Sequence, residues 1–364
     1  MRPIRNIKNW YARNERRLSA VALFGGFIID SFTLGRVDKP FENIWVIGHI
    51  FLVAICIILL NLYERGRKEE SVPGRIHFWL ILIMQFLFGN ILSAFFVFYF
   101  RSATFASSWP FFLLLALTFL SNESFKHYYT RLTFQISIFF ISIYSFSIYM
   151  VPILLHRVGD DIFVMSGLAS LLILGIFIRI LNAVTKEKFQ KSRNLLFWMI
   201  TGIFITINVL YFTNLIPPLP LSLKDAGVYH TITHDPVSGQ YILTGEPIDD
   251  TPDGKVRRFF ERYPVFHQVQ GEPVNVYTAV FSPTAFSAKI IHHWQHYNDS
   301  TKEWVSVTRI SLAIRGGRGD GYRTYSTRSD LEPGYWRVDV ETENGQDIGR
   351  VGWGGGRGEN SMLL

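Results

Sequence analysis

Residues 195–227 read LLFWMITGIFITINVLYFTNLI and then PPLPLSLKDAG. The first part holds 22 residues without an Asp, Glu, Lys or Arg. At roughly 1.5 Å per helical residue it is long enough to cross a hydrocarbon core of about 30 Å. The prolines at 217, 218 and 220 cannot continue that helix and predict an extended, stiff exit. Cutting the chain after Ile216 separates two compositions: residues 1–216 carry 21 Lys and Arg against 11 Asp and Glu, and residues 217–364 carry 15 against 18. The formal net charge of +7 therefore comes from the first part, where the basic residues lie between apolar runs. That placement excludes a basic nucleic-acid binder and assigns the pI near 9.4 to membrane topology. A single cysteine, Cys56, excludes an internal disulfide and a thiolate metal cluster.

Working back from residue 195, six further runs predict membrane helices: 18–35, 44–62, 76–100, 102–122, 132–155 and 162–184. Together they form a multi-pass bundle of about seven helices over residues 1–216. Starting with the N-terminus in the cytoplasm, sixteen Lys and Arg fall on the inner segments, and four (Arg36, Lys39, Arg101 and Arg157) on the outer ones. By the positive-inside rule, everything after Ile216 lies outside, in the periplasm of a Gram-negative cell. The first run lacks the small-residue cleavage pattern of a removed signal. Asp30 is the one acidic residue clearly inside an apolar run, a functional suspect by default. It lies six residues from Arg36, close enough to pair with it or reach interfacial water. His49, His77, Gln85, Asn90 and Asn208 are expected to serve as interhelical hydrogen-bond partners. No helix-borne HExxH, paired acidic helices or internal repeat marks a protease or transporter.

Residues 217–227 are taken as a Pro-rich linker and 228–364 as an all-β domain, with turn signals DPVSG, PDGK, NDSTKE, GGRGDG and ENGQ at hairpin-like spacing. Trp336, Val338 and Val340 alternate with Arg337, Asp339 and Glu341, one dry face and one wet. Seven to nine such strands predict an immunoglobulin-like sandwich. In IIHHWQHY, residues 290–297, three histidines fall within five positions. In a strand, His292 and His296 stand about 13 Å apart, too far for one ion, so no metal site and no cofactor is assigned. They share a face with Ile290 and Trp294, either the inner one or a concave aromatic surface. Arginines 309, 315, 318, 323, 328 and 337 lie among Tyr322, Tyr325, Tyr335 and Trp336. Such a mixture offers forked donors to anions and ring faces to sugars. The candidate ligand-binding residues are accordingly His292, Trp294, His296, Arg309, Arg323 and Tyr325. GGRGDG lacks the Lys-Ser/Thr ending of a P-loop and is expected to join two strands as a hairpin; no GxSxG elbow is present and no catalytic residue is assigned.

The segments PPLPLSLKDAGVYH, NVYTAVFSP, IIHHWQHY, TRISLAIRGGRGDGYRTYS, GYWRVDVET and GQDIGRVGW together resemble a family of uncharacterised bacterial multi-pass membrane proteins with a C-terminal domain of unknown function. The resemblance implies bacterial origin and residence in the inner membrane, and brings no catalytic residues. The function expected is that of a non-enzymatic envelope protein, in contact with membrane lipids, whose β-sandwich binds a protein partner or an anionic glycan. The alternative is a membrane transporter or enzyme acting on a lipid-linked or small substrate, with the sandwich as an accessory.

Overall fold

The computed structural model describes residues 28, 32, 34, 35, 38–65, 75–100, 105–124, 131–235, 240–247, 251, 263–268, 271–283, 286–329 and 331–357. The chain divides into two compact units, one holding most of residues 1–216 and the other residues 217–364 with two short segments from the first part. Six helices are present among the described residues: α1 (Pro40–Arg65), α2 (Arg75–Phe100), α3 (Phe105–Ser124), α4 (Leu132–Leu155), α5 (Asp160–Val184) and α6 (Lys186–Phe212). Among the described residues, five of them, all but α3, are long and apolar enough to cross a membrane, and α3 contributes a shorter apolar helix, Ser108–Phe119. Of the expected helix over 18–35 only residues 28, 32, 34 and 35 are described, and Asp30 lies outside the described residues.

Phe51, Phe86, Leu172 and Trp198 point outward from these helices, a distribution suited to a hydrocarbon solvent rather than to water. Helix α4 is the most enclosed of the spans and α6 the least. Polar side chains join the helices: Asn208, as expected, donates to the Tyr144 hydroxyl at 3.0 Å, and Asn61, not singled out in the sequence, donates to Gln135 Oε1 at 2.8 Å. His49 instead turns back on its own helix, with Nδ1 2.8 Å from the Trp45 carbonyl. At one end of the bundle Arg65 donates to the Val184 carbonyl, joining the C-terminal ends of α1 and α5. At the other, the Tyr211 hydroxyl meets Asp160.

The second unit is β-rich, with ten strands among the described residues: β1 (Ser222–Tyr229), β2 (Thr231–His234), β3 (Tyr241–Thr244), β4 (Val265–Gln268), β5 (Val274–Phe281), β6 (Ser287–Asn298), β7 (Glu303–Arg315), β8 (Tyr322–Arg328), β9 (Gly334–Thr342) and β10 (Asp347–Arg357). They form a three-stranded sheet ordered β1-β5-β8, a five-stranded sheet ordered β4-β10-β9-β6-β7 and a β2-β3 hairpin. All pairings are antiparallel except β4 with β10. Because β1 begins at Ser222, strand structure starts inside the stretch expected to be linker. Instead of an extended exit, the prolines make a tight turn, closed by Leu219 N–H to the Pro217 carbonyl at 2.8 Å and Leu221 N–H to the Pro218 carbonyl at 3.0 Å.

The side-chain period of two puts Trp294, Trp336, Val338, Val351 and Trp353 from the larger sheet against Val274 and Val276 from the smaller one. A second cluster unites Val280 with Ile290, Ile314, Val340 and Ile348. Ile348 and Trp353 reach these inner clusters from positions of opposite parity because β10 shifts register between Asp347 and Gly349.

GGRGDG is not a hairpin turn: it carries the chain from β7 in one sheet to β8 in the other. Glycine is required there. A Cβ on Gly316 would stand 1.6 Å from the Pro283 carbonyl oxygen, and Gly321 has φ +92° with its Cβ position 2.8 Å from the Ala279 backbone.

Candidate functional site

The six residues singled out in the sequence fall into three environments. His292 and Trp294 lie on the inner face of β6 with no exposed surface. His292 Nε2 is 2.9 Å from the Thr278 hydroxyl and Nδ1 is 2.8 Å from the Ser326 hydroxyl, which also accepts the Trp294 indole N–H at 3.0 Å. Burial pushes the His292 imidazole down to about 4, so it is neutral at pH 7. These two residues are satisfied core members tying the sheets together, and no ligand can reach them. His296 sits at the end of the same face, its ring 4.6 Å from that of Trp336.

Arg309 occupies the outer face of the larger sheet. It donates to Glu341, whose other oxygen lies 2.8 Å from His293 Nδ1. Beside it Asp339 accepts from Arg350 and, at 3.1 Å, from Gln295, whose carbonyl oxygen accepts from Arg337 at 2.7 Å. The face expected to be wet is thus partly closed by its own ion pairs: Asp339 and Glu341 are 3% and 7% exposed. Carboxylate oxygens of Asp339, Glu341 and Asp347 lie within 4.8 Å of one another, the donor set a cation would meet. Arg309, Arg337 and Arg350 already supply three positive charges to these three carboxylates, which makes the cluster self-neutralised. One end of this face carries a ring cluster, Tyr263, Tyr297, Trp304 and Tyr335, with the Arg337 guanidinium 4.4 Å from the Trp304 centroid.

Arg323 and Tyr325 belong elsewhere, on the outer face of the three-stranded sheet. There an open groove of about 390 Å³ is lined by Lys224, Asp225, Tyr277, Ala279, Gly319, Asp320 and Arg323. Its construction follows from strand register. Asp225 pairs with Ala279 and Ala279 with Arg323, so β1, β5 and β8 each send one residue to the same side at the same level. One step along, Gly227, Tyr277 and Tyr325 form the next row. Gly227 offers no side chain, and the neighbouring Tyr229 ring fills that space, 2.8 Å from where a Cβ would be. The Tyr241 ring of the β2-β3 hairpin stands 6.2 Å from Tyr277 and 6.0 Å from Tyr325. Burial raises the Tyr277 hydroxyl above its ordinary value, and the nearby Arg323 charge partly offsets the rise. Among the described residues, no hydrogen bond or ion pair engages the half-buried Arg323 guanidinium. A half-buried guanidinium that lines a groove and has no counter-charge among the described residues is suited to receive an anion.

Sequence reading selected Arg323 and Tyr325 but not Lys224, Asp225, Tyr241 or Tyr277. Alternation in NVYTAVF places Tyr277 and Ala279 opposite Val276 and Thr278, a signal that was available. Lys224 and Asp225 were hidden by the linker assignment.

Residues 287–353, from β6 through most of β10, match a family described as Protein of unknown function (DUF2914). No curated protein matches the chain. Among solved structures, a beta-glucosidase from Listeria innocua is similar at 20% identity and TM-score 0.18, over 25% of this chain and 15% of that one. Its complex with isofagomine gives 18% and 0.19 over 25% and 15%. The Pseudomonas fluorescens alkylpurine DNA glycosylase AlkC, bound to DNA containing an abasic site analog, gives 9% and 0.20 over 87% and 99%. The chain spans about 15% of the length of the beta-glucosidase. At such TM-scores the likenesses define neither fold nor chemistry.

Proposed function

We propose that this is a bacterial envelope protein whose helical bundle, seven-pass with a cytoplasmic N-terminus, sits in the inner membrane and presents its β-rich domain to the periplasm, where the domain binds an anionic glycan. The carrying observation is Arg323, without a counter-charge among the described residues, in a groove edged by tyrosines. Of the two ligand classes expected from sequence, a small, open, polar groove suits a saccharide better than a protein partner, which would call for a larger patch with an apolar centre. The sidedness is supported by the concentration of Lys and Arg on one set of loops. An immunoglobulin-like sandwich is supported by strand order: β1-β5-β8 corresponds to A-B-E and β7-β6-β9-β10 to C′-C-F-G, with Trp294 buried on the C-equivalent strand. The test is retention of envelope polysaccharide by the full-length protein in detergent. Retention by the wild type and its loss in Arg323→Gln is expected; equal retention by both overturns the reading. A reporter enzyme active only in the cytosol, fused after Leu364, should be silent.

A second reading, a transporter or enzyme working on a lipid-linked or small substrate, draws on a polar cluster in the bundle. Glu64 there holds both Lys188 and His77, and Lys188 reaches Asn61 at 3.2 Å. It would gain if Glu64→Gln, folded and inserted, abolished a cellular phenotype that Arg323→Gln leaves intact.

A further inference from the structure

We infer that the groove on the β1-β5-β8 sheet takes a carboxylated sugar, a uronic acid-type ring, with the carboxylate on Arg323 and ring hydroxyls on Asp225 and Asp320. The inference rests on the anionic-glycan reading above and narrows it to one anion chemistry.

The charges of the lining carry the argument. Lys224 and Arg323 are cations, Asp225 and Asp320 anions, so the groove is formally neutral although the Arg323 guanidinium has no ion-pair partner among the described residues. No Lys or Arg ion pair within 4.0 Å engages Asp225 or Asp320 among the described residues, and both line the same groove as Arg323. A sulfate or phosphate ester would bring acceptor oxygens on every side and, for phosphate, close to two charges toward those carboxylates, where like charges repel. A carboxylate brings one charge in a planar pair of oxygens that matches the guanidinium fork. The hydroxyls of the same sugar are donors, which is what a carboxylate lacking a cation requires. Tyr277 and Ala279 give the floor an apolar surface for the C–H face of the ring, and Tyr325 and Tyr241 extend it to one side. A volume of about 390 Å³ lies at the small end of ligand sites (~300–1,000 Å³), fitting a short sugar segment and not a folded chain.

The test uses the full-length protein in detergent micelles and methyl β-glucuronide with its short oligomers, alongside methyl β-glucoside, glucose 6-sulfate, glucose 6-phosphate and a short peptide with a free C-terminal carboxylate. The glucuronide is expected to bind in the roughly millimolar range, at least tenfold tighter than the glucoside. Arg323→Gln should remove that margin, Arg323→Lys should retain part of it, and Lys289→Gln, a charge loss at a distant exposed site, should leave it unchanged. Asp225→Asn supplies an independent readout: it should weaken the glucuronide about threefold or more and strengthen the sulfate, reversing part of the selectivity. Thermal melts confirm that each variant is folded, and an unfolded Arg323→Gln leaves Asp225→Asn to decide. Tighter binding of the sulfate or phosphate than of the glucuronide overturns the inference and leaves the anionic-glycan reading standing. Tighter binding of the peptide overturns both in favour of a protein partner, and equal binding of glucoside and glucuronide overturns both outright.

Discussion

The His292 imidazole and the Ser326 hydroxyl lie 2.8 Å apart across the gap between the two sheets, both buried. With Thr278 on the other ring nitrogen, one neutral histidine bridges β6 to β5 and β8 and makes the facing of the sheets specific. A neutral tautomer donates through one nitrogen and accepts through the other, and the two hydroxyls can serve either arrangement.

That bridge makes stability depend on pH. The folded-state pKa is depressed to about 4 by burial, whereas the unfolded chain returns to about 6.5. Between those values the unfolded state binds the extra proton, so stability is full above about pH 6.5 and falls as pH drops toward about 4. The loss should be on the order of 3 kcal/mol, read as a falling melting temperature of the β-rich unit. In His292→Gln that pH slope should vanish, whatever the variant's absolute stability; an unchanged slope would remove His292 as its cause.

The crossover loop should tolerate no side chain at two positions. Gly316→Ala would drive a methyl into the Pro283 carbonyl, and Gly321→Ala would combine positive φ with a backbone clash against β5. Each is expected to cost roughly 2–4 kcal/mol or prevent folding. Gly271→Ala, with positive φ but open space around it, should cost only about 1 kcal/mol. Chemical denaturation of the three variants checks the order.

In the bundle, Glu64→Gln should weaken the junction of α1, α2 and α6, because Lys188 and His77 lose their shared carboxylate. A loss of about 1–3 kcal/mol is expected in detergent unfolding. Adding Lys188→Met to Glu64→Gln should recover part of it, since the cation left without its counter-charge is then gone.

On the outer face of the larger sheet, Asp339→Asn leaves Arg350 and Arg337 facing a neutral amide. Its destabilisation, about 2–3 kcal/mol, should exceed that of Glu343→Gln, whose partner Lys289 is well exposed. Salt titration separates the two, because the exposed pair is screened and the buried one is not.

Uncharged runs such as residues 132–155 located the long apolar helices, because hydrocarbon admits so few residue types that a run suited to it stands out in composition alone. The alternation of Trp336, Val338 and Val340 likewise announced an inner face, because a strand has only two faces to offer. Arg309 and Arg323 show where such reading stops. They look equivalent along the chain, yet one is locked to Glu341 and the other lines an open groove on the opposite sheet. The linker prolines suggested extension, but the turn they make delivers Ser222 straight into β1.

Sequence by itself determined the helical character of the first part of the chain, the strand character of its second and the stripe of residues that strands such as β9 turn inward. These are local properties, fixed by how each side chain partitions between water, hydrocarbon and protein interior. The tertiary structure alone decided which strands are neighbours, that GGRGDG crosses between sheets, that two of the three clustered histidines find hydroxyl or carboxylate partners within the sheets, and that Arg323 meets no counter-charge among the described residues. Those outcomes depend on pairings between residues tens of positions apart, which a period of two cannot encode: it names a face and leaves open what lies across from it.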